Sequence, residues 1–420
     1  MKESHKVLLK LLRIALGNEG LSPNPSPDPS TGSGTGEGSF ALPSAVDWPE
    51  VIDLSFEQGV AAMAVDGLQR IYDEIADQVR DDVVRDDVVR DDEERHAELD
   101  SASPALEHLD SPALEDLKYE WFGEVMNSEQ DYAAYSETLE EFALLCNGQE
   151  IVPMVLKGYG LSLNWPTASH RPCGDIDVYL GECCEFVNQM MENRFSVAVD
   201  RTSPHHSTFH FREQLFENHA TILSVNACKA NSGLEKTLKQ LAEEGLEYKV
   251  GRAKVKLPTS RFNSLHVLRH LGGDWATDGA SLRQVIDWAT FVSASADGRN
   301  GLEPIDWGFV QKVSREVKMI GFLDVLNGIC VEYLGYPREM FPVTDVDAAL
   351  RDRVMDDILV PECRNRIPER SHRLAYMWGK FYRHIRSQWK RRMVFDETLV
   401  GGLVERVKYM KKRDNKINRI

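Results

Sequence analysis

The sequence predicts an α+β fold in which a few short strands sit between helical regions, and three observations carry that expectation. Apolar residues recur at helical spacing up to about Leu145, the pattern breaks into short apolar runs after Gly148, and helical spacing returns from about Leu234 onward.

The first element is a helix over residues 1–17, where Val7, Leu8, Leu11, Leu12 and Ala15 form one stripe that ends at Gly17 and Asn18. Residues 18–48 contain SPNPSPDPSTGSGTGEGS, a Pro-rich and then Gly/Ser-rich run expected to be a flexible linker. Helical patterning resumes over 49–77 through Leu54, Val60, Met63, Ala64, Leu68 and Ile71. Next, RDDVV recurs from Arg80. Five residues turn a helix by about 140° beyond a full turn and swap faces in a strand, so neither geometry gathers the valines. Residues 78–116 are therefore expected to be a disordered acidic insertion.

Tyr119, Phe122, Val125, Met126, Tyr132, Leu139, Phe142, Ala143 and Leu145 fit one long helix or a pair. Ile151 to Leu156 suits a buried strand, followed by Lys157-Gly158, a short helix from Tyr159 to Trp165, and a polar loop to Gly174. Asp175 to Leu180 is a second strand, Glu182 to Asn193 a helix, and Val197 to Arg201 and Leu215 to Val225 further strand candidates. A core of mixed strands and helices is thus expected over 117–230. A helical domain follows over 231–395, with loops at Gly251, Gly272-Gly273, Gly298 to Gly301 and Pro337, and a basic tail over 396–420.

With 42% hydrophobic and 28% charged residues, the 420-residue chain has the composition of a globular protein. No apolar run reaches the ~18 residues of a membrane span, so no membrane partner is expected. Seven cysteines without a CxxC suit reduced thiols and a cytoplasmic location. The net charge of −18 argues against a general pull toward polyanions. It is unevenly spread: Asp73 to Asp100 holds thirteen acids against four arginines, whereas Ser371 to Ile420 holds fourteen Lys and Arg against four acids.

The densest chemical signal is LKGYGLSLNWPTASHRPCGDIDVYL, from Leu156 to Leu180. In an extended strand Asp175 and Asp177 share a face, and adjacent carboxylates are costly unless a cation sits between them. Mg²⁺ suits such a pair because it takes oxygen ligands and fills its shell with water and phosphate. Gly174, just before the pair, leaves room for a backbone or a phosphate. Asp345-Val346-Asp347 serves as an internal control, because it precedes AALRDRVMDDIL and fits a helix cap instead.

The run LKG, then Arg171 and GDIDVYL, resembles the signature of the uncharacterised nucleotidyltransferase family, common in bacteria, within the DNA polymerase β-like superfamily. The resemblance extends from about Val51 onward and to the opening helix, leaving out the linker and the acidic repeat. It implies a small mixed-sheet nucleotidyltransferase core. It also implies an acid-x-His strand, matched by Glu217-Asn218-His219, and later helices matched by SLHVLRHL and LRQVIDWATFV. Two positions depart from the pattern: Ala220 replaces the usual aromatic, and Lys157-Gly158 stands where the superfamily has Gly-Ser. The implied catalytic and metal-binding residues are Asp175, Asp177 and Glu217, holding two Mg²⁺ ions and an NTP. Lys157, Gly158, Arg171 and Gly174 would serve the nucleotide. Glu213 and Asp200 are the other acids near enough in sequence to take the third place.

The expected reaction moves a nucleoside monophosphate from an NTP to an acceptor hydroxyl on a small molecule, protein or RNA. The alternative is a non-catalytic nucleotide-binding or regulatory protein with the same fold. His205, His206, His210 and His219 are expected to be surface or core histidines, since no cysteine spacing completes a zinc set. His219 shares a face with Glu217, and His266, His270 and Asp287 could border the cleft. Leu374, Trp378, Phe381, Tyr382, Ile385 and Trp389 are expected to pack on the domain with a solvated basic face around them. The chain has no GxxxxGK[ST], no GxGxxG after a strand, no GxSxG and no HExxH, which sets aside the enzyme classes built on them.

Overall fold

The computed structural model describes residues 1–19, 42, 46–85, 109–225, 231–344, 346–362, 373–402 and 404. They divide into two compact units, Met1–Ser128 with Val331–Tyr336, and Glu129–Cys330 with Pro337–Ile420. No described helix is long and apolar enough to cross a membrane.

The first unit is helical. Its opening helix α1 (Glu3–Leu16) ends at Gly17 in the left-handed region and buries Leu8, Leu11 and Leu12. The expected helix over 49–77 is two helices, α2 (Trp48–Glu57) and α3 (Ala61–Arg85), separated at Gly59 with φ +65°. Gly67 lets α3 cross α1 closely, because a Cβ there would stand 2.1 Å from the Leu11 carbonyl oxygen. Order also extends past residue 77, where the insertion was expected to begin. The first RDDVV copy lies in α3, whose backbone hydrogen bonds do not depend on burying the valines. The insertion is also shorter at its other end, since Leu109 is fully buried and a 3₁₀ turn covers Pro112–Leu114. The remaining repeats and most of the linker lie outside the described residues.

The second unit is built on a six-stranded mixed sheet, as the α+β expectation requires. Its strands are β1 (Met154–Val155), β2 (Ile176–Tyr179), β3 (His206–Phe211), β4 (Gln214–His219), β5 (Leu246–Val250) and β6 (Ala253–Leu257), in the order β3-β4-β2-β1-β6-β5. β2 runs parallel to β4 and β1 parallel to β6, while the other neighbours are antiparallel. The core lies between one face of the sheet and α4 (Glu115–Asn147), which presents Tyr135, Leu139, Phe142, Ala143 and Cys146 at helical spacing to Ile176, Val178 and Phe216.

Three sequence expectations change here. The sheet does not end at residue 230, because LEYKV and AKVKL form a hairpin around Gly251 whose alternating residues Val250, Ala253, Val255 and Leu257 are buried. Val197 to Arg201 is not a strand. Its one ladder contact is the Asp200–Thr208 bridge, and Arg201 is held by Glu185 and Glu192. Gly272-Gly273 is not a loop but lies within α8 (Ser260–Thr277), where Gly272 admits the Phe322 ring. Within the sheet's chain order, α5 (Tyr159–Ser162) lies between β1 and β2, α6 (Cys184–Phe195) between β2 and β3, and α7 (Asn231–Ala242) between β4 and β5. After α8 come α9 (Leu282–Ala296), α10 (Trp307–Glu316), α11 (Ile320–Leu334), α12 (Ala348–Leu359), α13 (Arg373–Arg386) and α14 (Gln388–Phe395).

The control acid pair behaves as a cap where it is described: the Asp347 carboxylate accepts from the Ala349 amide at the start of α12, and Asp345 lies outside the described residues. Of the C-terminal apolar residues expected to pack on the domain, Trp389 does so, its ring 5.1 Å from that of Trp275, but four others do not. Trp378 is 68% exposed, and Phe381, Tyr382 and Ile385 are also exposed. Basic and polar residues face inward instead: Lys390 is buried on Asp357, Arg391 pairs with Glu397, and Arg383 donates to the Thr277 carbonyl. Partnered cations with long apolar stems can cover a core surface that aromatic periodicity alone would assign to rings.

Candidate active site

The expected carboxylates meet where β2 and β4 pair. Parallel register sets Asp177 opposite Glu217, which puts both side chains on one face, and Glu217 and His219 share that face two residues apart along β4. One ligand atom from each of Asp177, Glu217 and His219 lies within 4.8 Å of those from the other two. Glu217, rather than Glu213 or Asp200, therefore takes the place beside Asp177. Asp175 precedes the strand and is half-buried outside that trio, with its backbone carbonyl accepting from the Tyr135 hydroxyl at 3.2 Å.

Asp177 is nearly inaccessible, yet its carboxyl is held well below the usual range. Burial opposes ionisation, but Lys157 Nζ at 3.0 Å and His219 Nε2 at 2.8 Å outweigh it. The same contacts hold the pKa of both cations above their ordinary values against the cost of burial, with Glu217 Oε2 adding a second acceptor 3.4 Å from His219 Nε2. Asp175 moves the other way: burial first, then the neighbouring charge of Asp177, raise its carboxyl pKa. The like-charge cost anticipated for the DxD pair is thus present, and Lys157 offsets part of it.

Gly158 follows Lys157 at φ +47°, where a Cβ would come within 2.3 Å of the Tyr135 hydroxyl, so glycine is required by both backbone and packing. Gly174 is exposed with open space around it. Arg171, expected to serve the nucleotide, sits in an ion pair of its own. It is buried and forks onto Asp287 through Nε at 2.7 Å and Nη2 at 2.8 Å, while Trp165 Nε1 donates to the same carboxylate at 2.8 Å. This clamp ties the loop before the DxD strand to α9, and Arg171 also lines the smaller of the two cavities at the site.

Two cavities open on the site. One of about 130 Å³ is lined by Lys157, Gly158, Asp175, Asp177, His270 and Arg283, and a larger one of about 450 Å³ by Lys157, Glu217, His205, His206, His219 and His266. Arg283 was not singled out in the sequence. It has no hydrogen-bond or ion-pair partner among the described residues, and burial followed by the charge of Arg171 lowers its pKa. The signal was present in LRQVIDW, because Arg283 and Asp287 are four residues apart and so share a helix face.

A model of the uncharacterised nucleotidyltransferase family matches residues 44–334. The chain belongs to that family. The match spans the sheet, the carboxylate trio and the Arg171–Asp287 clamp, and stops before α12 to α14; it also leaves out α1, to which the resemblance had been extended. No curated protein and no solved structure matches the chain. The family membership fits the donor types: Asp177 and Glu217, whose oxygens lie within 4.8 Å of each other, are oxygen donors of the kind a magnesium ion takes, and Asp175 and Asp177 both line the smaller cavity with Lys157 and Arg283.

Proposed function

We propose that the chain is a Mg²⁺-dependent nucleotidyltransferase that moves a nucleoside monophosphate from an NTP to an acceptor hydroxyl. The observation that carries this reading is the Asp177–Glu217 register, which completes a carboxylate set from strands some forty residues apart in a chain of this family. Asp175, Asp177 and Glu217 would hold the metal, which when bound supplies charge neutralisation at the phosphates and a more acidic acceptor hydroxyl. Lys157 and Arg283, both lining the smaller cavity, would neutralise the triphosphate. Gly158 keeps the turn after β1 free of a side chain, and the Arg171–Asp287 clamp orients the loop that delivers Asp175.

The test is label transfer from each radiolabelled NTP with Mg²⁺, offered the protein itself, RNA and a metabolite extract as acceptors. Transfer by the wild type that is lost in Asp175→Ala/Asp177→Ala is expected. Equal behaviour of the two proteins would refute the assignment, and tight Mg-NTP binding without turnover would favour the non-catalytic alternative.

A further inference from the structure

Beside the carboxylates is a second group of donors that the proposed reaction does not use. His205, His206 and His219 each offer one nitrogen, and the three lie within 4.8 Å of one another. Strand pairing produces the cluster: His206 is opposite His219 in the β3–β4 register, and His205 precedes it at the strand entrance. Their rings are centred 4.7 to 5.2 Å apart with no hydrogen bond between them.

The protonation pattern follows from the neighbours. The Thr221 hydroxyl donates its one proton to the Leu223 carbonyl at 3.1 Å, so toward His205 Nδ1, 2.7 Å away, it can only accept. With Thr221 accepting there, His205 would carry its proton on Nδ1 and leave the Nε2 lone pair free. His219 donates from Nε2 to the Asp177 carboxylate, which leaves Nδ1, buried and without a hydrogen-bond partner, as its second nitrogen. His206 Nδ1 is likewise buried and unpartnered, 3.6 Å from Glu217 Oε2. Unmatched buried nitrogens cost stability unless something binds them. Burial, reinforced by the facing imidazoles, pushes His205 down to about 2, so its ring is neutral at neutral pH; burial also lowers His206.

We propose that His205, His206 and the Nδ1 of His219 form a binding site for a divalent cation of the zinc class, adjacent to the carboxylate site proposed for Mg²⁺ and linked to it through His219. Three imidazoles select a late first-row metal over magnesium, which prefers oxygen. Tetrahedral ligation with Zn–N bonds of about 2.0–2.1 Å requires the nitrogens to draw somewhat closer than they stand. The imidazoles are oriented from behind in the manner of metal-bound histidines, His219 by Asp177 and His205 by Thr221. All three line the open 450 Å³ cavity, so the fourth position faces space that a ligand can enter. A metal on His219 Nδ1 takes the place a proton would otherwise hold.

Equilibrium dialysis of chelator-stripped full-length protein against Co²⁺, with metal analysis and the visible spectrum of four-coordinate cobalt, tests the site. One equivalent per chain is expected. It should be lost in His205→Ala/His206→Ala, retained in Asp175→Asn, and weakened about 10- to 100-fold in Thr221→Val, as for removal of an outer-shell partner. Circular dichroism would establish that the double variant is folded, and the Thr221→Val variant leaves all three imidazoles in place. The proposal is overturned if wild-type protein binds no Co²⁺, if the folded double variant binds as well as wild type, or if Asp175→Asn abolishes binding. Because retention in Asp175→Asn does not depend on nucleotide chemistry, the metal site and the transferase reading can fail independently.

Discussion

At the scale of single residues, the site is organised by which charges are allowed to persist out of water. Asp177 stays ionised because Lys157 and His219 both reach it. His266, only 3% exposed on α8, is the opposite case: burial lowers its pKa to about 3, so it stays neutral in the folded chain. An unfolded histidine protonates below about 6.5. The folded state is therefore fully favoured by this residue above that pH and loses ground as pH falls toward 3, at about 1.4 kcal/mol per pH unit. Urea titrations from pH 7 to 4 should show that slope reduced in His266→Asn; an unchanged slope would contradict the neutral assignment. The residue scale is also where the sequence was most legible. Asp175 and Asp177 lie at the start of one strand and Lys157 and Gly158 in the turn after another, and each pair's local setting follows from neighbouring residues. The pairing of Arg171 with Asp287 was not legible, because the two are distant in sequence and nothing local marks an arginine as clamped.

At the scale of elements, sheet pairing and helix packing turned separate motifs into a site. β2 was legible from its apolar residues, and the acid-x-His strand from its pattern, but their adjacency was not. The hairpin of β5 and β6 alternates over only five residues a side, with lysines between the buried positions, so it was absorbed into the helical region around it. The C-terminal helices show the same limit. Helical spacing gave α13 and α14, yet the inward face is set by Lys390 on Asp357, both about 2% exposed. Removing one partner of such a buried pair leaves a stranded charge, and Lys390→Met should lower stability by about 3–5 kcal/mol. A chemical denaturation midpoint within error of wild type would show that the pair carries no such weight.

At the scale of the whole molecule, the chain divides into a helical unit and a unit that holds the sheet, the cavities and every proposed site residue. A ligand stabilises what it binds, by about 2.7 kcal/mol when present at a hundred times its dissociation constant. Hydrogen exchange with and without Mg²⁺ and an NTP should therefore slow in β2, β4 and α8 while α1 to α3 exchange at unchanged rates. Protection confined to the helical unit would place the nucleotide elsewhere.

By itself, the sequence determined the α+β class, the helix at the start, the strand with its two aspartates and the family resemblance, because periodicity and short motifs express interactions within a few residues of chain. Only the tertiary structure decided that Glu217 stands beside Asp177, that three histidines converge next to them, that Arg171 is bound by Asp287, and that Trp378, Phe381 and Tyr382 are exposed. Those outcomes depend on which strands and helices become neighbours, a choice made by the burial of whole faces and by charge pairs far apart in the chain.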